Sequence, residues 1–164
     1  MKSDSYEIRQ SNFGKGLFAI KDIEPGTVLC KVSCKEEELN FAQTLLLGDK
    51  ESHAVQIDFG RYLLCEPPFL YSNHSCNPNC AINANLEMFA IKTVKAGEEL
   101  IWDYSTSMME RHWTMKCCCG EKNCRGYIND FDLLPKDLQE KYLQLNIVLP
   151  FIVHYIRYQH AKSA

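Results

Sequence analysis

Nine cysteines in 164 residues, three of them consecutive at Cys117, Cys118 and Cys119, constrain this chain more than any other feature. Cys117 and Cys119 can both present sulfur to one ion from a tight turn, and Gly120 permits the backbone reversal that returns Cys124 as a third ligand. A fourth sulfur is available in the stretch Tyr71-Ser72-Asn73-His74-Ser75-Cys76-Asn77-Pro78-Asn79-Cys80. Four thiolates are the number at which a structural zinc site closes, so a metal is expected to clip the tail of the chain onto its middle. The competing readings are an iron–sulfur cluster, for which this spacing is less usual, and buried thiols acting as small hydrophobes. An odd count with uneven spacing fits metal ligation in a reducing compartment better than a disulfide framework.

The length and a hydrophobic content of 46% allow one domain with a real core plus a C-terminal extension. The formal charge is −3 and no block of basic residues occurs. Direct nucleic-acid binding through a basic face is therefore not expected, whereas a Lys-rich peptide partner suits this sign of charge. Met1 is followed by the polar Lys2-Ser3-Asp4-Ser5, and no apolar run reaches the length of a membrane span. The expectation is a soluble intracellular protein, cytoplasmic or nuclear, with no membrane partner. The tripeptide Asn73-His74-Ser75 matches a glycosylation sequon, which such a protein does not use.

Short β-like runs bounded by Gly, Pro, Asn and Asp dominate the first two thirds: 6–9, 17–20, 28–32, 54–58, 62–65, 88–91 and 100–102. Several small twisted sheets fit this pattern better than parallel α/β layers. Asp58-Phe59-Gly60-Arg61 reads as a hairpin turn; the kinase meaning of Asp-Phe-Gly lacks its companion motifs. One short helix is expected over 36–48, from an acidic first turn to a Gly stop, and an amphipathic helix from Pro135 through Lys136 to Leu145. A second C-terminal helix over 147–158 is expected to cover core surface or a partner copy in a homodimer. Expected boundaries are 1–112 for the catalytic-type domain, 113–130 for the metal segment and 131–164 for a helical extension.

Two further blocks accompany the cysteines. Gly14-Lys15-Gly16-Leu17-Phe18-Ala19 near the start would let backbone approach a ligand closely, and Gly97-Glu98-Glu99-Leu100-Ile101-Trp102-Asp103-Tyr104 follows the Asn-His-Ser-Cys stretch. The four blocks, in this order within residues 6–128, resemble a SET-domain protein-lysine methyltransferase with a post-SET zinc motif. The resemblance implies a mainly β SET fold with some α, built of several small twisted sheets with pseudoknot-like C-terminal threading, a zinc-bound post-SET segment and C-terminal helices. It implies methyl transfer from S-adenosylmethionine to the side-chain amine of a lysine in a protein or peptide, a histone being one candidate. Tyr104 takes the catalytic place; Lys15, Gly16, Leu17, Tyr71, Asn73, His74 and Cys118 are implied cofactor contacts; Trp102 and Tyr62 are implied walls of the substrate channel. Zn2+ is implied at Cys76, Cys117, Cys119 and Cys124, with Cys80 the competitor of Cys76 for the fourth place.

Several positions depart from the family pattern. Trp102 stands where Phe or Tyr is usual, Leu70 where Arg often precedes Phe-x-Asn-His, and Val32 where an early strand commonly supplies a Tyr. A second active-site tyrosine must then come from elsewhere, Tyr62 or Tyr71, or be absent. These departures keep alive an alternative from another class: a zinc-containing SET-like module that binds a peptide with weak catalysis or none. Trp113 is a further candidate pocket wall. Cys76 acting as a nucleophile beside His74 is rejected, because the sulfur is better used on metal.

Overall fold

The computed structural model of this chain describes residues 3–34 and 38–163. In chain order the strands are β1 (Tyr6–Ser11), β2 (Gly14–Ala19), β3 (Val28–Lys31), β4 (Leu39–Asn40), β5 (Ala54–Asp58), β6 (Arg61–Leu64), β7 (Asn73–His74), β8 (Cys80–Ile82), β9 (Glu87–Ala90), β10 (Ile101–Trp102), β11 (Met115–Lys116) and β12 (Tyr127–Ile128). The helices are α1 (Phe41–Thr44), α2 (Lys136–Gln144) and α3 (Pro150–Ser163), with 3-10 turns between elements. Among the described residues the strands form five small sheets: β1–β2, β3–β9–β8, β4–β6–β5, β7–β10 and β11–β12. Such short strands cannot support one broad sheet, so the fold is stabilised by side chains shared between sheets.

The expected turn at Asp58-Phe59-Gly60-Arg61 joins β5 to β6: Gly60 has φ +67°, and the Phe59 amide donates to Asp58 Oδ1 at 2.8 Å. The expected helix over 36–48 is much shorter. Leu39 and Asn40 pair with Tyr62 and Arg61, and Asn40 then caps α1 through a reciprocal bond pair with Gln43. Residues 35–37, where its acidic start was expected, lie outside the described residues.

Leu17, Ile23, Ile82, Met88, Leu100 and Phe131 are almost wholly buried in the main core, and each such aliphatic or aromatic side chain contributes about 1.5–3 kcal/mol by leaving water. The expected helix from Pro135 is α2. The last helix begins at Pro150 rather than Ile147, because proline fits the first turn of a helix and not its interior. Leu149 instead donates its amide to Thr106 O at 3.0 Å, tying the entry of α3 to the segment after Tyr104. Tyr142, Ile147, Leu149, Ile152 and Ile156 all join the main core, so the C-terminal helices cover it. No helix among the described residues is long and apolar enough to cross a membrane.

Candidate active site and metal centre

Two residues of parallel pairing set the site. β7 and β10 place Asn73 beside Ile101 and His74 beside Trp102, and the Ser75 amide continues the ladder to Trp102 O at 3.0 Å. Asn79 stands in for a missing strand: its side chain accepts from the Ile101 amide at 2.9 Å and donates to Glu99 O at 2.7 Å, bracketing the buried Leu100. The blocks around Asn73 and Tyr104 are thereby locked side by side although these residues stand 31 positions apart.

Two cavities meet there. The wider, about 560 Å³, is lined by Phe13, Lys15, Tyr71, Asn73, His74, Trp113, Lys116 and Cys117–Cys119. The narrower holds about 60 Å³ and is lined by Tyr62, Cys65, Phe69, Ser72, Trp102 and Glu110. Ser52, His53, Leu70, Tyr104 and Trp113 line both, so the Tyr104 phenol stands at their junction. Lys15, Tyr71, Asn73, His74 and Cys118 are thus brought to one cavity, and Tyr62 and Trp102 to the other. Leu17 is not brought there: its side chain lies in the main core. Gly16 packs against Glu99, where an added Cβ would meet Oε1 at 2.2 Å, so a side chain at this position displaces Glu99. Glu99 in turn accepts from Asn73 Nδ2 at 2.6 Å, and the same amide group reaches Lys15 O at 3.1 Å. The glycine loop and the Asn-His block are therefore held as one wall. Val32, at the position where the family pattern suggested a tyrosine, is buried in the core.

The Tyr104 hydroxyl donates to Ser72 O at 2.8 Å, and Trp102 Nε1 donates to Ser72 Oγ at 3.1 Å. Burial, with Cys65 and Glu99 adding to it, pushes the Tyr104 phenol well above its ordinary value. It remains protonated at neutral pH. Its proton is spent on Ser72, which leaves the oxygen lone pairs facing the junction. His74 has the opposite fate. Burial lowers it to about 4 against the pull of Asp103, so the ring is neutral near pH 7. Nδ1 accepts the Tyr104 amide at 3.2 Å, which places the ring proton on Nε2, 3.5 Å from Cys76 Sγ. One imidazole thus links the junction to the sulfur cluster.

The sulfurs of Cys76, Cys117, Cys119 and Cys124 all lie within 4.8 Å of one another, an arrangement that could hold a metal ion. Cys76 and Cys117 are 3.7 Å apart, against about 3.8 Å expected for two sulfurs bound tetrahedrally to zinc at about 2.3 Å. The donor set and its spacing therefore fit a structural tetrathiolate ion. The Arg125 amide approaches Cys76 Sγ at 3.5 Å and Asn123 Nδ2 donates to Cys76 O at 2.8 Å, fixing the loop around the first ligand. Cys80 lies on β8 in the main core, apart from the second cluster that Cys76 forms with Met108, Cys117 and Ile128.

Sequence reasoning missed the hub beside this cluster. Asp103, buried beside Tyr104, accepts both Arg125 terminal nitrogens at 2.7 and 2.8 Å, the Tyr142 hydroxyl at 3.0 Å and the Ser105 amide at 3.1 Å. Burial works against the Arg125 charge, yet Asp103 raises its guanidinium above the ordinary value. The metal segment, the tyrosine block and α2 therefore share one buried ion pair. An Arg directly after the last ligand was the available signal, but its partner could be found only in space. Replacing Arg125 by Met leaves Asp103 buried without its cation and should cost about 3–5 kcal/mol. Urea unfolding of the metal-loaded protein measures this, and a loss below about 1 kcal/mol contradicts the tie.

The site thus combines small sheets, a cluster of four sulfurs and two cavities that share the Tyr104 phenol. Residues 14–105, more than half of the chain, match the family described as SET domain, and the chain belongs to the SET-domain family. Histone-lysine N-methyltransferase trr of Drosophila melanogaster is 26% identical over 145 residues, covering 78% of this chain and 6% of the relative. The H3 lysine-36 specific histone-lysine N-methyltransferase of Coccidioides immitis is 39% identical over 67 residues, covering 35% of this chain and 6% of the relative. The chain thus spans a small fraction of these relatives' length. Among solved structures, the methyltransferase domain of human histone-lysine N-methyltransferase SETMAR aligns with a TM-score of 0.59 at 19% identity, covering 76% of this chain and 58% of that one. KRYPTONITE in complex with mCHG DNA and SAH aligns with a TM-score of 0.59 at 20% identity, covering 79% of this chain and 30% of that one. At such identities the likeness is one of fold.

Proposed function

We propose that this protein transfers a methyl group from S-adenosylmethionine to the side-chain amine of a protein lysine, with zinc held by Cys76, Cys117, Cys119 and Cys124. The observation that carries this reading is the junction: a wide cavity and a narrow one share Tyr104, so a donor in one can face an amine in the other. The wide cavity fits an adenosyl donor in size and in chemistry, with the Phe13, Tyr71 and Trp113 rings for an aromatic base and Asn73 and Lys15 for polar groups. Lys15 Nζ lies 4.9 Å above the Tyr71 ring, a cation available to a carboxylate. When bound, the donor supplies a methyl on a sulfonium sulfur, and the amine nitrogen takes that methyl as the carbon–sulfur bond breaks.

The chain's own part is positioning and desolvation. Tyr104 offers its oxygen lone pairs to the polarised methyl and to the amine. Its raised pKa makes the phenol a poor acid, so it orients the reactants without carrying charge. Trp102 stands against Tyr104 with ring centroids 4.8 Å apart and against Phe69 at 5.6 Å, which keeps the channel narrow. Residues 113–130 act as a post-SET segment that roofs the donor. The substrate is proposed to be lysine in a flexible basic segment; histones are the first proteins to test, given the names of the relatives.

The nucleophile must be neutral, whereas free lysine has a pKa near 10.4, so about 4 kcal/mol of deprotonation is needed at pH 7.4. Where the amine must lose its proton before attack, its neutral fraction grows with pH. Turnover with radiolabelled donor on core histones should therefore rise between pH 7 and 9, by up to about tenfold per unit. A flat profile removes the dependence on neutral lysine, and no transfer onto any basic protein removes the proposed activity.

A further inference from the structure

The geometry points to Glu110 as the charge receptor of the narrow cavity: its carboxylate docks the alkylammonium group of the incoming side chain and so selects lysine over an uncharged alkyl chain. The inference rests on the reading of that cavity as the lysine channel. Glu110 is half-buried on the same cavity wall as Tyr62, Trp102 and Tyr104.

Two features of the channel lead there. First, two neutral donors beside Tyr104 are already engaged, Trp102 Nε1 on Ser72 Oγ and the Tyr104 hydroxyl on Ser72 O, and the Tyr62 phenol interacts with Glu110 itself. The Tyr104 and Glu110 oxygens are therefore left as acceptors on this wall, which suit an ammonium with three donors. Second, Glu110 forms no salt bridge among the described residues, whereas the other carboxylates at this end do. Glu51 faces His112 Nε2 at 2.9 Å, and Asp130 takes the amides of Glu110 and Arg111 as well as the Arg111 guanidinium.

The position of the carboxylate is fixed rather than adventitious. The buried Gln56 accepts from the Met109 amide at 2.7 Å and donates to Met109 O at 3.4 Å, and the next amide, that of Glu110, donates to Asp130 Oδ2 at 3.2 Å. The Trp113 amide and the Tyr62 hydroxyl lie beside the carboxylate and favour its charged form. Burial pushes the Glu110 carboxyl up, with His112 only partly offsetting it, so an incoming ammonium is what would stabilise its charged form.

The test compares Nα-acetyl-lysine methylamide with its norleucine counterpart, titrated into the zinc-loaded protein with S-adenosylhomocysteine present and followed by the indole N–H resonance of Trp102. The lysine compound should bind saturably and about 10- to 100-fold more tightly than the norleucine compound, the range of a charge-assisted hydrogen bond in a partly dry site. Glu110→Gln should abolish that ratio by weakening the lysine compound alone, and Glu110→Asp should restore part of it. Equal binding of the two compounds by the unaltered protein, or no saturable shift from the lysine compound, overturns the inference without any variant. A ratio that survives Glu110→Gln overturns it too. Because the readout is binding, absence of methyl transfer would discard the proposed activity while leaving this ratio to decide the role of Glu110.

Discussion

Replacing Tyr104 by Phe lowers the methyl-transfer rate by about a hundredfold, while zinc content and affinity for S-adenosylhomocysteine stay within about threefold of the parent protein. The variant deletes one oxygen and leaves the ring. The ring is what packs against Trp102 and His74, at centroid distances of 4.8 and 5.2 Å, so the walls of both cavities persist. What disappears is the acceptor at the junction and the bond to Ser72 O. An interaction made with the reacting groups alone is lost from kcat, not from donor binding. Steady-state kinetics with calorimetry of donor binding check this pair of outcomes. Unchanged turnover would remove Tyr104 from the chemistry, and a parallel collapse of donor affinity would make its role structural.

The second large effect comes from the metal. Chelation, or Cys119→Ser, should abolish S-adenosylhomocysteine binding and methyl transfer at a temperature where the β-sheets remain folded. Binding of a structural zinc is worth about 10–16 kcal/mol, and here it is confined to one corner of the molecule. The cluster of Cys76, Met108, Cys117 and Ile128 is separate from the main core, and β11 and β12 pair over two residues each. Without the ion, the segment is held mainly by the Arg125–Asp103 pair, the Asn123 bond to Cys76 O and the Asn77 bond to Glu121. Cys117, Cys118, Cys119 and Ile128 form one side of the wide cavity, so its roof is lost with the ion. Far-ultraviolet circular dichroism should change little while calorimetry loses its signal. Full donor affinity in metal-stripped protein would contradict the coupling between clasp and pocket.

Much of this arrangement was legible before any coordinates. The sulfur ligands follow from spacing, because a tight turn brings neighbouring thiols to one ion, and the family pattern singled out Cys76 over Cys80. Strands β1, β2, β3, β5, β6, β9 and β10 were foreshadowed by β-like runs between turn residues. β7, β8, β11 and β12 were not, because two or three residues carry no periodicity. The overlong first helix shows local propensity yielding to a partner: Leu39 and Asn40 gain a ladder with β6 that isolated helix formers cannot match. Pro150 was a legible signal that should have moved the start of α3. Asp103, Glu110 and Asn79 were hidden for another reason. Each matters through a partner remote in sequence, Arg125 and Tyr142 for Asp103, Tyr62 for Glu110 and the Ile101 amide for Asn79.

The central claim is that donor and lysine enter from separate cavities and meet at Tyr104. A crystal structure with S-adenosylhomocysteine and a bound lysine peptide tests it most directly. The account predicts the donor sulfur in the wide cavity under Cys118, the lysine nitrogen in the narrow cavity between Trp102 and Glu110, and both converging on the Tyr104 oxygen with the nitrogen aligned behind the vacant methyl position. A donor bound elsewhere, or a lysine approaching the sulfur from outside the narrow cavity, would contradict it.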